Sequence, residues 1–170
     1  YIIEGLMSTN TNLENFISYS TNRFSWENDI IIIAGPTAVG KSKIAMDLAK
    51  SINGVIINAD SVQVYQDLNI LSARPNKITI ETIEHCLYGY VSSSTNFSVA
   101  NWLSDLNDIL VEIKKKQKIP ILVGGSGLYI SAAVNGLAPI PNILQKIKDE
   151  INLKFNQIGL ESFKELVSQI

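Results

Sequence analysis

The stretch that most constrains what this chain can fold into lies between Ile30 and Ile52. Four isoleucines, Ile30 to Ile33, run almost directly into Gly35-Pro36-Thr37-Ala38-Val39-Gly40-Lys41-Ser42, and a helical pattern follows from Lys43 to Ile52. The octapeptide fits GxxxxGK[ST], which becomes a phosphate cradle only in the order strand, glycine-bounded loop, helix. The glycines let backbone N–H groups converge on an anion, and the helix beginning near Gly40 adds unpaired donors and the positive end of its dipole. All eight residues, Gly35 to Ser42, are therefore candidates for holding a diphosphate or nucleotide. Lys41 is expected to reach a terminal phosphate oxygen. Ser42 is the candidate metal ligand, its hydroxyl on Mg²⁺, a cation that takes hard oxygen ligands and shares them with phosphates. The competing explanation is a chance glycine-rich turn, and it has to account for agreement on both flanks.

The rest of the chain alternates strand and helix. Val55 to Asn58 is a short apolar strand after an Asn53-Gly54 helix stop, and Cys86 to Val91 reads as another. Phe97 to Lys116 carries Trp102, Leu106, Ile109, Leu110 and Ile113 at helical spacing, with Ser98 signalling its start. Pro120 opens the strand Ile121 to Gly125, and a helix runs from Ser126 or Gly127 to Asn135-Gly136. Strand, helix, strand units imply a parallel sheet flanked by helices, an α/β fold of the P-loop NTPase type. Beyond a proline-rich link at 138–142, residues 143–158 and 161–170 read as two amphipathic helices. The division expected is a poorly ordered Ser/Thr/Asn-rich leader at 1–29, an α/β core at 30–140 and the start of a helical region at 141–170. The chain opens at Tyr1, with Met7 as an alternative start.

Composition removes several function classes. A hydrophobic content of 46% supports a buried core, yet no apolar run approaches the ~20 residues needed to span a bilayer, so no membrane partner is expected and the cytoplasm is the default compartment. A single cysteine, Cys86, excludes an internal disulfide and a cysteine-rich zinc site. His85 beside it is expected to pack or bond locally. A net charge of −2 offers no general attraction to nucleic acid. The densest positive cluster, Lys114, Lys115, Lys116 and Lys118, fits a helix C-terminus whose dipole favours cations.

Three features bear on the phosphate chemistry. The apolar strand Ile121 to Val123 runs into Gly124, Gly125, Ser126 and Gly127 rather than into the metal-ordering aspartate common in nucleotide hydrolases. A carboxylate is instead offered by Asp60, just after the strand Val55 to Asn58, at the sheet edge where ligands bind in open α/β folds. The chain has only two arginines, Arg23 and Arg74, so the arginine lid of small-molecule kinases is missing. Asp60, Ser61 and Gln63 cluster at the strand tip, where they could read a base edge or a hydroxyl, or could merely cap the turn beginning at Val62.

With these residues in view, the chain resembles the tRNA dimethylallyltransferases, which isopentenylate an adenine beside the anticodon. The resemblance rests on five ordered blocks spanning about Ile30 to Lys148: GPTAVGKS at 35–42, NADSVQVYQDLNILSARP at 58–75, HCLYG at 85–89, FSVANW at 97–102 and ILVGGSGLYISA at 121–132. It implies dimethylallyl diphosphate and the tRNA anticodon stem-loop as partners, Mg²⁺ as cofactor, and a loop that holds a leaving diphosphate. By the same resemblance Asp60 is the general base, Thr37 lies at the reaction centre and Lys41 stabilises the leaving group. Asp60, Ser61, Val62 and Gln63 match the segment that holds the target adenine, while Ser126 and Lys148 match tRNA-contact positions. The helical region at 141–170 becomes the start of a tRNA-binding insertion.

Departures from the family pattern are ILSARP at 70–75 in place of IGTAKP, and Glu84-His85-Cys86-Leu87 in place of PHHL. Family members are considerably longer. The expectation is thus an N-terminal portion of such an enzyme, weakly active or inactive alone, monomeric when complete or complemented by a C-terminal chain if the gene is split. Two alternatives stay open: a phosphate-binding module without turnover, and a small-molecule kinase.

Overall fold

Strict alternation along three apolar strands builds a sheet that is covered on both sides. The computed structural model describes residues 2–4, 24–68, 82–138 and 143–169. Within them, β1 (Ile2–Glu4), β2 (Ile31–Ala34), β3 (Gly54–Asn58), β4 (His85–Cys86) and β5 (Ile119–Gly124) form one sheet in the order β1-β2-β5-β3-β4, with every pairing parallel. Side chains of successive strand residues point to opposite faces. Ile31 and Ile33 of β2, Ile56 of β3, and Ile119, Ile121 and Val123 of β5 accordingly join one apolar cluster, while Ile32, Val55, Ile57 and Leu122 join the other. Burial on both faces explains why these strands read as continuous apolar runs.

Helix α1 (Lys41–Ile52) seals the first face with Ala45, Leu48, Ala49 and Ile52. Helices α2 (Val99–Lys115) and α3 (Gly127–Asn135) cover the second through Trp102, Leu106, Ile113 and Tyr129. The ends of these helices follow local chemistry. Asn53 takes a left-handed conformation and its N–H donates to the Ala49 carbonyl, closing α1. Ser98 and Asn101 form a reciprocal capping box at the start of α2. At its end, Lys116 and Lys118 donate to Glu84 at 2.5 and 3.0 Å, and these two ammonium groups hold the Glu84 carboxyl below the usual carboxylate range. Much of the lysine cluster is therefore engaged with acidic neighbours.

Two expectations need correction. Part of the 1–29 leader is structured: Ile2–Glu4 pairs with β2 as an edge strand, and Phe24 and Trp26 pack against the α1-side cluster. The strand expected over Cys86 to Val91 ends after Cys86, because Leu87 turns to φ 63 and Gly89 to φ 55. Beyond α3 lies α4 (Gln145–Ser168), which is broken at Gly159, where φ 73 and ψ 174 are not helical. The two helices expected over 143–158 and 161–170 meet at that break. Arg23, Ser72, Arg74 and the stretch ILSARP lie outside the described residues.

The chain divides into two units, one up to Leu137 and one from Ala138 onward. In the second, Phe155 and Phe163 meet edge to face at 5.3 Å across the Gly159 break, and α4 has no buried residue. Among the described residues no helix is long and apolar enough to cross a membrane.

One glycine is required by backbone packing. A Cβ at Gly124 would lie 2.1 Å from the Ala59 carbonyl oxygen and 2.8 Å from its Cα, atoms that cannot rotate away. Gly124→Ala is expected to destabilise the fold by about 3 kcal/mol, the upper end for overpacking, because β5 and the segment after β3 must separate. A urea unfolding midpoint equal to that of the parent chain would contradict this close approach.

Candidate active site

The strand order decides what meets at the carboxyl edge of the sheet. Because β5 lies between β2 and β3, the loop after β2, the segment after β3 and the glycine turn after β5 emerge side by side. Ligands bind at such an edge in open α/β sheets. A cavity of about 240 Å³ opens there.

One side of the cavity is the loop leading into α1, contributing Thr37, Ala38, Gly40, Lys41 and Ser42. Gly40 adopts φ 94 as the residue before α1, a conformation that glycine takes at little cost, so the helix begins at once with Lys41 and Ser42 in its first turn. Ala38 is also left-handed, at φ 66, a conformation that costs an alanine about 1 kcal/mol. The loop is thus bent so that five of its eight residues line this cavity. Lys41 Nζ donates to the Pro36 carbonyl at 2.6 Å, folding the ammonium back over the loop. Gly35 and Pro36 line a separate groove with Gly125 and Gly127, and Val39 is exposed at the loop tip.

Asp60 and Gln63 stand on the other side, with Tyr88, Val123 and Gly124 completing the wall. Cationic and acidic side chains about 20 residues apart in sequence therefore share one cavity. Asp60 is held from two directions: its Oδ1 accepts the Val62 N–H at 2.9 Å, and its own N–H donates to Asn58 Oδ1 at 2.9 Å. The turn-capping role considered for Asp60 is real, and it leaves the residue lining the cavity as well. Ser126 Oγ accepts the Ser61 N–H at 2.9 Å and donates to Ser61 Oγ at 3.1 Å, so Ser61 and Ser126, separated by 65 positions, lock the glycine turn to the segment after β3. Val62 is exposed at this edge. Lys148 is exposed on α4 in the second unit.

Sequence reasoning passed over the residue that organises this edge. Asn58 is fully buried, its Nδ2 donates to the carbonyls of Asp60 at 2.9 Å and Leu87 at 3.0 Å, and its own carbonyl accepts Trp102 Nε1 at 3.0 Å. Its side-chain amide thereby ties β3 to the Asp60 segment and the turn after β4, while its backbone carbonyl holds helix α2. The available signal was a polar residue ending an apolar strand, a position that must find partners once buried. Asn58→Leu keeps the volume but strands three backbone groups. We expect a loss of about 3 kcal/mol in urea unfolding, and a loss under 1 kcal/mol would show that the network is slack.

Tyr88 is the other unanticipated cavity residue. Burial, and then the Asp60 charge, push its phenol well above the ordinary tyrosine range, so it stays protonated. Beside it, His85 Nδ1 donates to the Ile83 carbonyl at 2.7 Å, and burial lowers the imidazole pKa. His85 therefore bonds locally, in line with the expectation for a solitary histidine. Among the described residues no group of three or more His, Cys, Asp or Glu side chains could hold a metal by itself.

Comparison with known proteins agrees with this architecture. The IPP transferase family profile matches residues 63–170. The tRNA dimethylallyltransferase of Pelagibacter ubique is 48% identical over 137 residues, covering 81% of this chain and 44% of that protein. The tRNA dimethylallyltransferase of Ehrlichia chaffeensis is 42% identical over 140 residues, covering 82% and 46%. Among solved structures, the full-length tRNA isopentenylpyrophosphate transferase of Bacillus halodurans superimposes with a TM-score of 0.64 at 31% identity, over 83% of this chain and 47% of that one. A eukaryotic dimethylallyltransferase acting on tRNA gives a TM-score of 0.64 at 31% identity, over 72% and 31%. The chain spans about half the length of the curated relatives it matches. Shared sequence across most of its length, a matching profile and a matching parallel α/β fold place this chain in the IPP transferase family.

Proposed function

We propose that this chain carries the donor-binding and proton-accepting part of a tRNA dimethylallyltransferase, which moves a dimethylallyl group from dimethylallyl diphosphate to N6 of an adenine beside the anticodon. One observation carries the proposal: a single cavity has a cationic phosphate-loop side, Lys41 with Ser42 and Thr37, and a carboxylate, Asp60, on its opposite wall. A kinase needs a phosphoryl acceptor and cationic clamps, and the sequence offers only two arginines, Arg23 and Arg74. An alkyl transfer needs a held leaving group and a base, and that is the pair present.

In this reading the loop N–H groups, the α1 N-terminus and Lys41 bind the diphosphate and take up the charge that grows as the allylic C–O bond breaks. The adenine N6 lone pair forms the new C–N bond, the C–O electron pair leaves on the diphosphate, and the N6 proton passes to the Asp60 carboxylate. Thr37 and Gln63 can donate to the diphosphate or the base edge, and the adenine must leave its stack to reach the cavity. Ser42 would hold Mg²⁺ jointly with diphosphate oxygens, which fits a site where carboxylate ligands are too few to bind an ion alone. When bound, that ion supplies further neutralisation of the leaving group. The tRNA contacts of Ser61, Val62, Ser126 and Lys148 belong to the same proposal, Ser61 and Ser126 now with a structural bond of their own.

The test supplies the purified chain with labelled dimethylallyl diphosphate, Mg²⁺ and an anticodon stem-loop, and separately competes ATP against dimethylallyl diphosphate for the loop. Preference for the allylic diphosphate is expected. Preference for ATP, with no displacement by the allylic diphosphate, would refute the reading.

A further inference from the structure

The transferase reading accounts for Lys41, Ser42 and Asp60, but leaves unused the aromatic ring on the wall they share. Tyr88 lines the cavity and at the same time packs against the apolar cluster containing Val123, a second wall residue. Its position is set by the chain on both sides. Leu87 sits at φ 63 with its carbonyl accepting Asn58 Nδ2 at 3.0 Å, and the Gly89 N–H donates to the Gln63 carbonyl at 2.8 Å. His85 meets the Tyr88 ring edge on at 5.6 Å. The turn that cuts β4 short thus delivers one aromatic side chain to the cavity and holds it there.

We propose that Tyr88, backed by Val123, forms the apolar wall that receives the branched allylic group of the donor. This rests on the transferase reading above. The reasoning is one of position and chemistry. The allylic carbons are joined directly to the diphosphate, so once the phosphates are on the loop these carbons must lie inside the same cavity, between the loop and Asp60. Among the described residues Tyr88 is the one aromatic side chain lining that cavity, and with Val123 it offers apolar surface beside the polar groups of Thr37, Lys41, Ser42, Asp60 and Gln63. A neutral phenol does not repel the diphosphate, and an aromatic face attracts the positive charge that an allylic carbon acquires as its bond to oxygen breaks. Contact with the target adenine is the competing assignment. The titrations below separate the two.

The experiment compares two probes on the same chain: Mg²⁺ with inorganic diphosphate, and Mg²⁺ with dimethylallyl diphosphate, each by equilibrium titration against the parent, Tyr88→Phe and Tyr88→Ala. The parent is expected to bind the allylic diphosphate more tightly than inorganic diphosphate. Tyr88→Ala is expected to lose about tenfold for the allylic form and less than about twofold for inorganic diphosphate, whereas Tyr88→Phe keeps the parental ratio. Affinity for inorganic diphosphate reports whether the loop is still folded. Equal losses for both probes would overturn the assignment, as would an unchanged ratio in Tyr88→Ala with weakened binding of an anticodon stem-loop, which would assign Tyr88 to the base. A parent chain that binds neither diphosphate overturns the transferase reading itself, an outcome distinct from a parent that binds both and a variant that leaves their ratio alone.

Discussion

Asp60→Asn is expected to abolish dimethylallyl transfer, by at least about 10³-fold, while leaving diphosphate affinity within about twofold of the parent. Asparagine is the informative substitution. Asp60 Oδ1 accepts the Val62 N–H at 2.9 Å, and an asparagine oxygen can keep that bond while lacking a basic carboxylate. Asp60→Ala would remove both, confusing loss of a base with release of the turn that carries Ser61, Val62 and Gln63. The measurement is single-turnover transfer from labelled dimethylallyl diphosphate to an anticodon stem-loop, beside a titration with Mg²⁺ and inorganic diphosphate. Near-parental transfer by Asp60→Asn would remove Asp60 as the proton acceptor. Equal loss of transfer and diphosphate binding would instead assign it to holding the donor.

Lys41→Met is expected to act on the opposite side of the cavity and on the opposite observable. Methionine keeps most of the stem and removes the charge, so the first turn of α1 should be retained. Diphosphate affinity should fall on the order of 100-fold, the scale of a lost charge-assisted pair in a partly enclosed site. Transfer should fall at least as far, because the same charge is needed more as the C–O bond breaks. In the structure Lys41 Nζ bonds the Pro36 carbonyl at 2.6 Å, and binding a diphosphate requires it to exchange that neutral acceptor for an anionic one. The salt dependence of diphosphate affinity should therefore flatten in the variant. Unchanged affinity would mean that the loop N–H groups alone hold the anion.

Much of the fold was legible because its signals are local. The apolar runs at β2, β3 and β5, the Ser98 cap of α2, the Asn53 stop of α1 and the glycines around Lys41 each act through neighbours a few residues away, and each element lies within a residue or two of where the pattern puts it. The apolar pattern continues past Cys86, yet the strand stops there because Leu87 takes a left-handed turn and its carbonyl is held by Asn58. Likewise, the pairing of Ile2–Glu4 with β2 leaves no mark in three residues of sequence.

For the site, local sequence specifies the chemistry on offer: a phosphate loop from Gly35 to Ser42 and a carboxylate at a strand end, Asp60. Which of these groups meet depends on how the elements pack. The order β2-β5-β3 puts the loop and Asp60 on facing walls of one cavity, buried Asn58 fixes the Asp60 segment against the turn after β4, and that turn brings in Tyr88. The physical reason is that a strand order and a buried amide's partners are long-range choices, made by packing between residues that the sequence leaves tens of positions apart.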